Sequence, residues 1–273
     1  MPVIIVSADD FQQGREIAHR VAGVLGYRFL GRDLLARVAQ EKQVSQQDLA
    51  RALDEPPGLL SRRSRRQRLL SEIEAACLEQ LLEDNVVAYG LAAHLYVRGV
   101  SHVLKVRIIN EPEQRANILA QTGNIPLERA RKLAQRQTGG ERRWSQDAYQ
   151  LDQTDPSLYD MVLSLGTLEQ DKAVEIICDM VGYRKFQPMT YSRKCLRDKA
   201  LAAQVRLALM ERFPDIRVEA NDGTVVAYIQ SLKKDQRKKQ EQVRQMAGEL
   251  PGVRHVEVHV IRDYFGQAAQ SSR

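Results

Sequence analysis

The chain has 273 residues, and its 43% hydrophobic content is enough for a packed core, which excludes a disordered chain. Aromatic residues make up only 5%, which argues against a stacking platform for single-stranded nucleic acid. Lysine and arginine outnumber aspartate and glutamate by 41 to 35, and this formal charge of +6 suits anionic partners without requiring one.

The three cysteines, Cys77, Cys178 and Cys195, are far apart and include no C-x-x-C pair. Their number and spacing argue against both a disulfide framework and a structural zinc site. No signal peptide opens the sequence, and no apolar stretch approaches the ~20 residues of a membrane span. We therefore expect a cytoplasmic protein without a transmembrane segment.

Strands and helices are predicted to alternate through the first 183 residues. Residues 3–6 form a short apolar run rich in β-branched side chains, which is typical of a strand buried on both faces. A helix-period segment follows and ends at Gly26. Such alternation pairs strands in parallel through βαβ crossovers and predicts a doubly wound parallel sheet. Further strands are predicted at 27–30, 85–89, 102–109 and 161–165, and helices at 33–40, 45–53, 69–83, 113–121, 127–137, 141–149 and 168–181.

The pattern changes after residue 183. A helix at about 196–212 is followed by two alternating runs around Asn221-Asp222-Gly223, which is a hairpin signal. A helix at 240–250 and a last strand near 253–260 complete a small α+β module. The predicted organisation is an N-terminal domain at 1–183, a linker at 184–194, a C-terminal domain at 195–264 and a tail at 265–273.

The strand–turn–helix at the N-terminus is where a phosphate-binding loop would lie. Such a loop needs glycines, so that backbone N–H groups point at a phosphate, and usually a lysine and a serine or threonine. Residues 7–18, SADDFQQGREIA, contain a single glycine, Gly14, with no lysine and no hydroxyl residue after it. Asp9 and Asp10 could hold Mg²⁺ beside a nucleotide, although solvated carboxylates are the favoured interpretation.

Three stretches near the N-terminus carry a family resemblance: 14–18 (GREIA), 26–29 (GYRF) and 32–35 (RDLL). They are similar to the opening of cytidylate-kinase-like proteins, which show a strand, then SREFGSGGREIA and GYxFxDR. The resemblance implies a P-loop-kinase-type α/β fold and a nucleoside monophosphate kinase ancestry, with ATP and Mg²⁺ as the phosphoryl donor. It covers about residues 1–182 in order and continues at 85–96, 112–115 and 155–160.

The resemblance also shows where this sequence departs from the family. Phe11 and Gln13 stand where the family has glycines, Gly31 stands at its acceptor-site aspartate, and Leu91 stands at its arginine. A side chain in place of glycine restricts positive φ and crowds a phosphate. Because phosphoryl transfer depends on positioning and charge stabilisation, we expect little kinase activity and name no catalytic residue.

The site candidates that the resemblance implies are few. Arginine forks can bind phosphate bidentately, and the arginines near the phosphate loop and the lid are candidates for this, against the alternative of solvated surface charges. Acceptor-site candidates are Asp33 and Gly90. The nucleotide- and phosphate-binding candidates are Gly14, Arg15, Arg115, Arg142 and Arg143, with Arg129 and Arg131 also on the predicted lid.

The C-terminal module resembles a BON domain. The matching stretches are a helix at 198–210, then IRVE at 216–219, DGTVV at 222–226 and LPGVRHV at 250–256, although Gln230 and Ser231 stand where the family has a glycine. The resemblance implies a small interaction domain without catalysis, and hence a possible protein partner.

Two other features have both a functional and an ordinary interpretation. The basic clusters at 62–68 and 233–239 could bind nucleic acid or acidic lipid, but solvated charge is favoured. His255, Glu257 and His259 share one face of the last strand, yet their alternation with valines is that of an exposed face, so no metal site is predicted.

Three functions remain open from the sequence. The first is a nucleotide-binding or regulatory scaffold with a degenerate phosphate loop, which contacts a partner through its C-terminal module. The second is an active CMP or dCMP kinase that uses ATP and Mg²⁺. The third and weakest is a polyanion-binding protein, and the low aromatic content argues against nucleic acid as its ligand.

Overall fold

The computed structural model describes residues 2–56, 63–231 and 235–262, and the chain divides into two compact units, Met1–Arg193 and Lys194–Arg273. The predicted linker at 184–194 contains a 3-10 turn (Arg184–Phe186) and the first residues of a helix. Arg62, Lys233 and Lys234 of the two basic clusters, and the predicted tail at 265–273, lie outside the described residues.

The first unit is built on a five-stranded parallel sheet, which confirms the predicted parallel pairing. The strand order is β2-β3-β1-β4-β5, so β1 lies at the centre. All four residues of β3 are buried, as expected for a strand covered on both faces. The strands are β1 (Val3–Ala8), β2 (Arg28–Leu30), β3 (Val86–Tyr89), β4 (Val103–Ile109) and β5 (Met161–Ser164).

Eight helices of the described residues belong wholly to this unit. A core cluster joins buried residues of the first and last of them, such as Ile17, Val21 and Ile177, to the central strands. The helices are α1 (Phe11–Leu25), α2 (Leu34–Lys42), α3 (Gln46–Asp54), α4 (Arg63–Leu81), α5 (Ala93–Tyr96), α6 (Pro112–Gly123), α7 (Leu127–Tyr149) and α8 (Gln170–Val181).

Local signals set several helix ends. Gly26 ends α1 with a φ of 65°, in the left-handed region that glycine adopts without a steric penalty. The Ser45 hydroxyl accepts a hydrogen bond from the Asp48 amide at 3.3 Å and caps α3. Both ends were predicted from the sequence and are confirmed.

The two helices predicted at 127–137 and 141–149 are one helix of 23 residues, so the predicted break was wrong. Gly139 and Gly140 lie inside α7, where each glycine costs about 1 kcal/mol relative to alanine. Buried Ala134 and Trp144 on either side of the glycine pair anchor the helix to the rest of the unit and offset that cost.

The second unit is a three-stranded sheet with order β6-β7-β8, formed by β6 (Arg217–Asn221), β7 (Thr224–Ser231) and β8 (His255–Arg262). The predicted hairpin is confirmed, because β6 and β7 are antiparallel and Asp222 and Gly223 have φ values of 50° and 77°, as a type I′ turn requires. Helix α9 (Thr190–Leu209) begins about six residues before the predicted helix, and α10 (Gln236–Gly248) follows β7.

The core of the second unit lies between its sheet and residues of α9 and α10, including Val205, Val225, Val243 and Ala247. None of the helices in the described part of the chain is both long and apolar enough to cross a bilayer. The cytoplasmic location expected from the sequence stays a prediction.

Candidate functional site

A crevice of about 460 Å³ opens in the first unit at the carboxyl ends of β1, β3 and β4. The strand order runs in opposite directions on the two sides of β1, and parallel α/β sheets bind ligands at such a switch point. The floor comes from the ends of β1 and β3, and α7 contributes Arg136, Glu141, Arg143 and Trp144 to the opposite wall. The crevice is therefore the candidate functional site.

The helix that begins beside this crevice is capped by the protein's own carboxylate. Asp10 is the N-cap of α1, and its Oδ1 accepts hydrogen bonds from the amides of Gln12 at 3.0 Å and Gln13 at 2.8 Å. These amides and the positive end of the helix are the groups that hold a phosphate in a phosphate-binding loop. In this chain a carboxylate already binds them.

Gly14 has a packing role. A Cβ on Gly14 would lie 2.4 Å from the Ala8 Cβ and 2.6 Å from the Tyr89 hydroxyl, so only glycine lets α1 approach the sheet this closely. The same hydroxyl donates a hydrogen bond to the carbonyl of Phe11 at 2.7 Å and fixes the first turn of α1. Gly14 thus supports α1, and its amide donates to the Asp10 carbonyl at 3.1 Å.

Gly90, at the end of β3, lies on the crevice and is covered by an aromatic side chain. Its φ is 73°, and a Cβ there would lie 3.0 Å from the ring of Phe11. The Arg32 guanidinium lies 4.6 Å from the centre of that ring, and its Nε donates to the Gly90 carbonyl at 3.2 Å. Arg32 also forms a two-pronged ion pair with Asp54, so its charge is neutralised within the protein.

A buried network of charges lies behind the crevice. Arg107 of β4 donates to the Ser7 hydroxyl at 2.8 Å and to the Glu141 carboxylate at 2.9 Å. Arg115 of α6 lies 3.5 Å from the other Glu141 oxygen and 3.9 Å from an oxygen of Asp9. Two arginines and two carboxylates thus neutralise one another here, and neither guanidinium is free to bind phosphate.

Asp9 is fixed inside this network, because it accepts hydrogen bonds from the backbone amide of Asn110 at 2.9 Å and from its side-chain amide at 3.0 Å. The interpretation of Asp9 as a solvated carboxylate is therefore wrong, since only 9% of its side chain is exposed. Burial would lower the pKa of Arg107, but the neighbouring Tyr159 and Glu141 outweigh it and raise that pKa above its usual value.

His94, on the short helix α5, lines the crevice and is buried. Burial, with the positive charges of Arg107 and Lys105, lowers the pKa of His94 to about 3, so its ring is neutral at physiological pH. The ring stacks on Tyr159 at 5.2 Å between centroids, and Nε2 has no hydrogen-bond partner among the described residues. His94 therefore places an unpaired polar atom at the crevice wall.

The structure brings together only some of the residues predicted from the sequence. Gly90 and Arg143 line the crevice, whereas Arg115 is buried in the charge network behind it. Arg142, on the next position of α7, donates to the Thr154 hydroxyl at 2.9 Å and pairs with Asp152. Arg15 is exposed on α1, and Asp33 begins α2 without capping it; neither is among the described residues that line the crevice.

Several site residues were missed at the sequence level: Arg107, Arg136, Glu141 and Trp144. A usable signal existed for Arg107, because a charged residue inside the apolar strand 103–109 needs a buried partner. Trp144, the single tryptophan of the sequence, is buried and donates to the Ala52 carbonyl at 2.7 Å, which holds α7 against α3. The contacts of the other residues depend on the tertiary structure.

A Mg–triphosphate does not fit this arrangement. It needs free backbone amides, a nearby cation and oxygen ligands that are not already engaged. Here Asp10 occupies the amides, Asp9 is held by Asn110, and residues 7–14 include no lysine. Within the described ranges, no group of three or more His, Cys, Asp or Glu residues is placed to hold a metal ion.

The described residues of the basic cluster at 62–68 do not line the crevice. In the basic cluster at 62–68, Arg65 pairs with Asp48, and Arg66 pairs with Asp147 at 2.7 Å with only 11% of its side chain exposed. Burial lowers the pKa of Arg66 despite that pairing. Part of this cluster therefore holds α4 in place and is not a solvated patch.

Comparisons with known proteins identify the family to which the first unit is similar. A family model described as "Cytidylate kinase-like family" matches residues 6–167. The chain is 27% identical over 164 residues to a cytidylate kinase of Methanopyrus kandleri, covering 59% of this chain and 83% of that protein. It is 24% identical over 172 residues to a cytidylate kinase of Archaeoglobus fulgidus, covering 63% and 89%. A solved structure of an uncharacterized Eubacterium ventriosum protein covers 67% of this chain and all of its own, but its TM-score of 0.49 at 13% identity carries no argument.

Proposed function

Because this chain belongs to the cytidylate kinase-like family, we propose that its first unit is a nucleotide-binding module with little phosphoryl-transfer activity. The observation that carries the proposal is the Asp10 carboxylate at the start of α1, bonded to the Gln12 and Gln13 amides. A second anion at the same amides would face electrostatic repulsion from Asp10.

The proposal that a nucleotide binds rests on the crevice itself. Its volume of about 460 Å³ lies within the ~300–1,000 Å³ of small-molecule sites, and it lies where α/β folds bind ligands. Arg136 and Arg143 line it, are exposed, and have no hydrogen bond or ion pair with other described residues. They are available to bind the phosphate of a nucleoside monophosphate.

The proposal of weak catalysis rests on the lack of unpaired cations among the other described groups of the crevice and of the charge network behind it. Leu91 is 1% exposed at the crevice where the family has an arginine, and Arg107 and Arg115 already neutralise Glu141 and Asp9. Transition-state stabilisation in phosphoryl transfer needs cations aimed at the transferred group. The role of the second unit in contacting a protein partner, and its BON-like identity, stay predictions from the sequence.

An active CMP kinase is the second candidate, favoured by the similarity to two archaeal cytidylate kinases. It would require Asp10 to leave the α1 amides when ATP binds. A helix N-cap contributes about 1 kcal/mol, which is small enough for a bound triphosphate to displace.

Melting temperatures measured with CMP, with Mg-ATP and with both separate these candidates, alongside a coupled kinase assay. A ligand that binds only the native state raises the melting temperature by mass action. We expect a shift with CMP, none with Mg-ATP, and no turnover under conditions where the Methanopyrus kandleri cytidylate kinase turns over. A Mg-ATP shift with turnover would establish the kinase, and no shift with any nucleotide would overturn the nucleotide-binding proposal.

Asp10→Ser tests the blocked helix end directly. Serine can still cap α1, but it removes the negative charge that repels a phosphate, so the variant should gain binding of Mg-ATP or inorganic phosphate. Asp33→Ser is the matched control, because Asp33 begins α2 without bonding its amides and should confer no gain. An Asp10→Ser variant that binds no anion better than the wild type would contradict the role given to Asp10.

A further inference from the structure

The crevice does not end at its mouth; it continues along α7 as a chain of depressions. Next to it lies a depression of about 510 Å³, and beyond that one of about 590 Å³ against the end of α6. Arg136 lines all three cavities, Arg143 is shared by the first two, and Lys132 by the last two. We call this continuous surface from the crevice to the end of α6 the α7 trough.

The trough is lined by cations that the protein does not neutralise. Arg129, Lys132, Arg136 and Arg143 are all exposed, and none has a hydrogen bond or ion pair with another residue in the described part of the chain. Among the residues that the structure describes, no acidic one lines either of the two outer depressions. In contrast, Arg131 on the same helix is paired with carboxylates.

The spacing places these four cations on one face of the helix. Arg129, Arg136 and Arg143 are seven residues apart, and Lys132 follows Arg129 by three. From Arg129 to Arg143 the helix rises about 21 Å, at 1.5 Å per residue. A mononucleotide in the crevice can contact Arg136 and Arg143 but leaves Arg129 and Lys132 without an anion.

We propose that the α7 trough binds the sugar-phosphate backbone of a single-stranded nucleic acid whose terminal nucleotide enters the crevice. This inference rests on the proposed nucleotide binding and names the form in which the nucleotide arrives. A length of about 21 Å exceeds the spacing of neighbouring phosphates several-fold, since each strand of a B-form duplex rises about 3.4 Å per nucleotide and a free strand can extend further. Successive phosphates of one strand can then bind to successive cations along α7.

The shape of the surface favours a chain over other polyanions. The depressions at the two ends of the α7 trough admit a flexible strand, whereas a flat membrane surface reaches only the outermost residues of a concavity. The low aromatic content limits base stacking but does not limit contacts between cations and the sugar-phosphate backbone. Among the described residues of the crevice, Phe11 carries the exposed aromatic ring. Binding should therefore depend strongly on salt and weakly on base sequence.

The test is fluorescence anisotropy of 5′-labelled twelve-residue oligocytidylates, as RNA and as DNA, between 50 and 200 mM salt. The double variant Arg129→Gln/Lys132→Gln should weaken binding about tenfold and lower the salt slope by about 1.4, since each phosphate contact on a single strand contributes about 0.7. Its CMP-induced shift in melting temperature should equal that of the wild type, because neither residue lines the crevice. Comparison of the RNA and DNA arms tells which sugar is preferred.

Arg98→Gln is the matched control, because Arg98 is an exposed arginine that lines none of the three cavities, and it should leave oligonucleotide binding unchanged. Unchanged affinity and salt slope in the double variant would overturn the inference. So would binding to phosphatidylglycerol vesicles that requires Arg129 and Lys132 when the oligonucleotides do not bind.

The two proposals fail separately. A CMP shift without oligonucleotide binding overturns the trough and retains the nucleotide-binding crevice. Oligonucleotide binding that needs Arg129 and Lys132 without any CMP shift supports the trough as a backbone site and overturns entry of the terminal nucleotide into the crevice.

Discussion

At the start of α1, the protein supplies its own anion, whereas along α7 it leaves four cations without one. The Asp10 carboxylate bonds to the Gln12 and Gln13 amides, while Arg129 and Lys132 have no counter-charge among the described residues. Unpaired charge in water costs little, so exposed cations carry no stability penalty and stay available for a ligand. The comparison separates charge used to hold the fold from charge left open for binding.

The buried network behind the crevice is, like the start of α1, a place where the protein neutralises its own charges. Breaking this network should have the largest effect on the free energy of unfolding. Glu141→Gln removes the carboxylate that Arg107 and Arg115 share and leaves buried positive charge without compensation. Because Glu141 is about a quarter exposed, we expect the low end of the usual range, about 3 kcal/mol of lost unfolding free energy. Guanidinium unfolding measures this loss.

The control for that change is Arg136→Gln, an exposed arginine on the same helix without a partner in the described residues, which should change stability by less than about 0.5 kcal/mol. Equal effects of the two substitutions would mean that the network does not stabilise the fold.

Gly14→Ala sharpens the distinction between a packing glycine and a phosphate-binding one. The new Cβ would meet the Ala8 Cβ and the Tyr89 hydroxyl at under 3 Å, and such overpacking costs about 1–3 kcal/mol. Gly23→Ala, in the same helix, has nothing within 4 Å and should stabilise the protein by about 0.5–1 kcal/mol. Thermal unfolding measures both, and a stabilising Gly14→Ala would refute the packing role.

His94 gives the smallest expected effect, and it appears as a dependence on pH. Its folded pKa of about 3 lies below the unfolded value of about 6.5, so the unfolded state binds a proton as the pH falls through 6.5 and the folded state does not. Between pH 7.5 and 5.5 this should lower the unfolding free energy by about 1.4 kcal/mol.

Stability of the wild type and of His94→Gln, compared by denaturant unfolding at the two pH values, isolates this contribution. The variant should lose that part of the pH dependence, and an unchanged pH dependence in the variant would show that folding does not lower the pKa of His94. Exposed His19→Gln is the control and should leave the dependence unaltered.

The alternation of strand-like and helix-like segments in the sequence was sufficient to predict the parallel sheet. Apolar runs such as residues 3–6 can satisfy their backbone groups only inside a sheet, and Gly26, Ser45 and Asp222-Gly223 carry local turn and cap preferences that act without tertiary help. These signals are short in range, which is why they could be predicted. The break at Gly139-Gly140 was predicted wrongly because packing on both sides overrides a weak local preference.

The sequence by itself determined that residues 7–14, between the first strand and the body of the first helix, contain one glycine and no lysine. Only the tertiary structure decided which arginines are engaged and which are open. Arg142 and Arg143 are neighbours in the chain, yet one pairs with Asp152 and the other faces the crevice, because adjacent helical positions differ by about 100° in direction. Whether a charge is neutralised depends on residues that are distant in sequence, as Arg107 and Glu141 are, and no local pattern encodes that pairing.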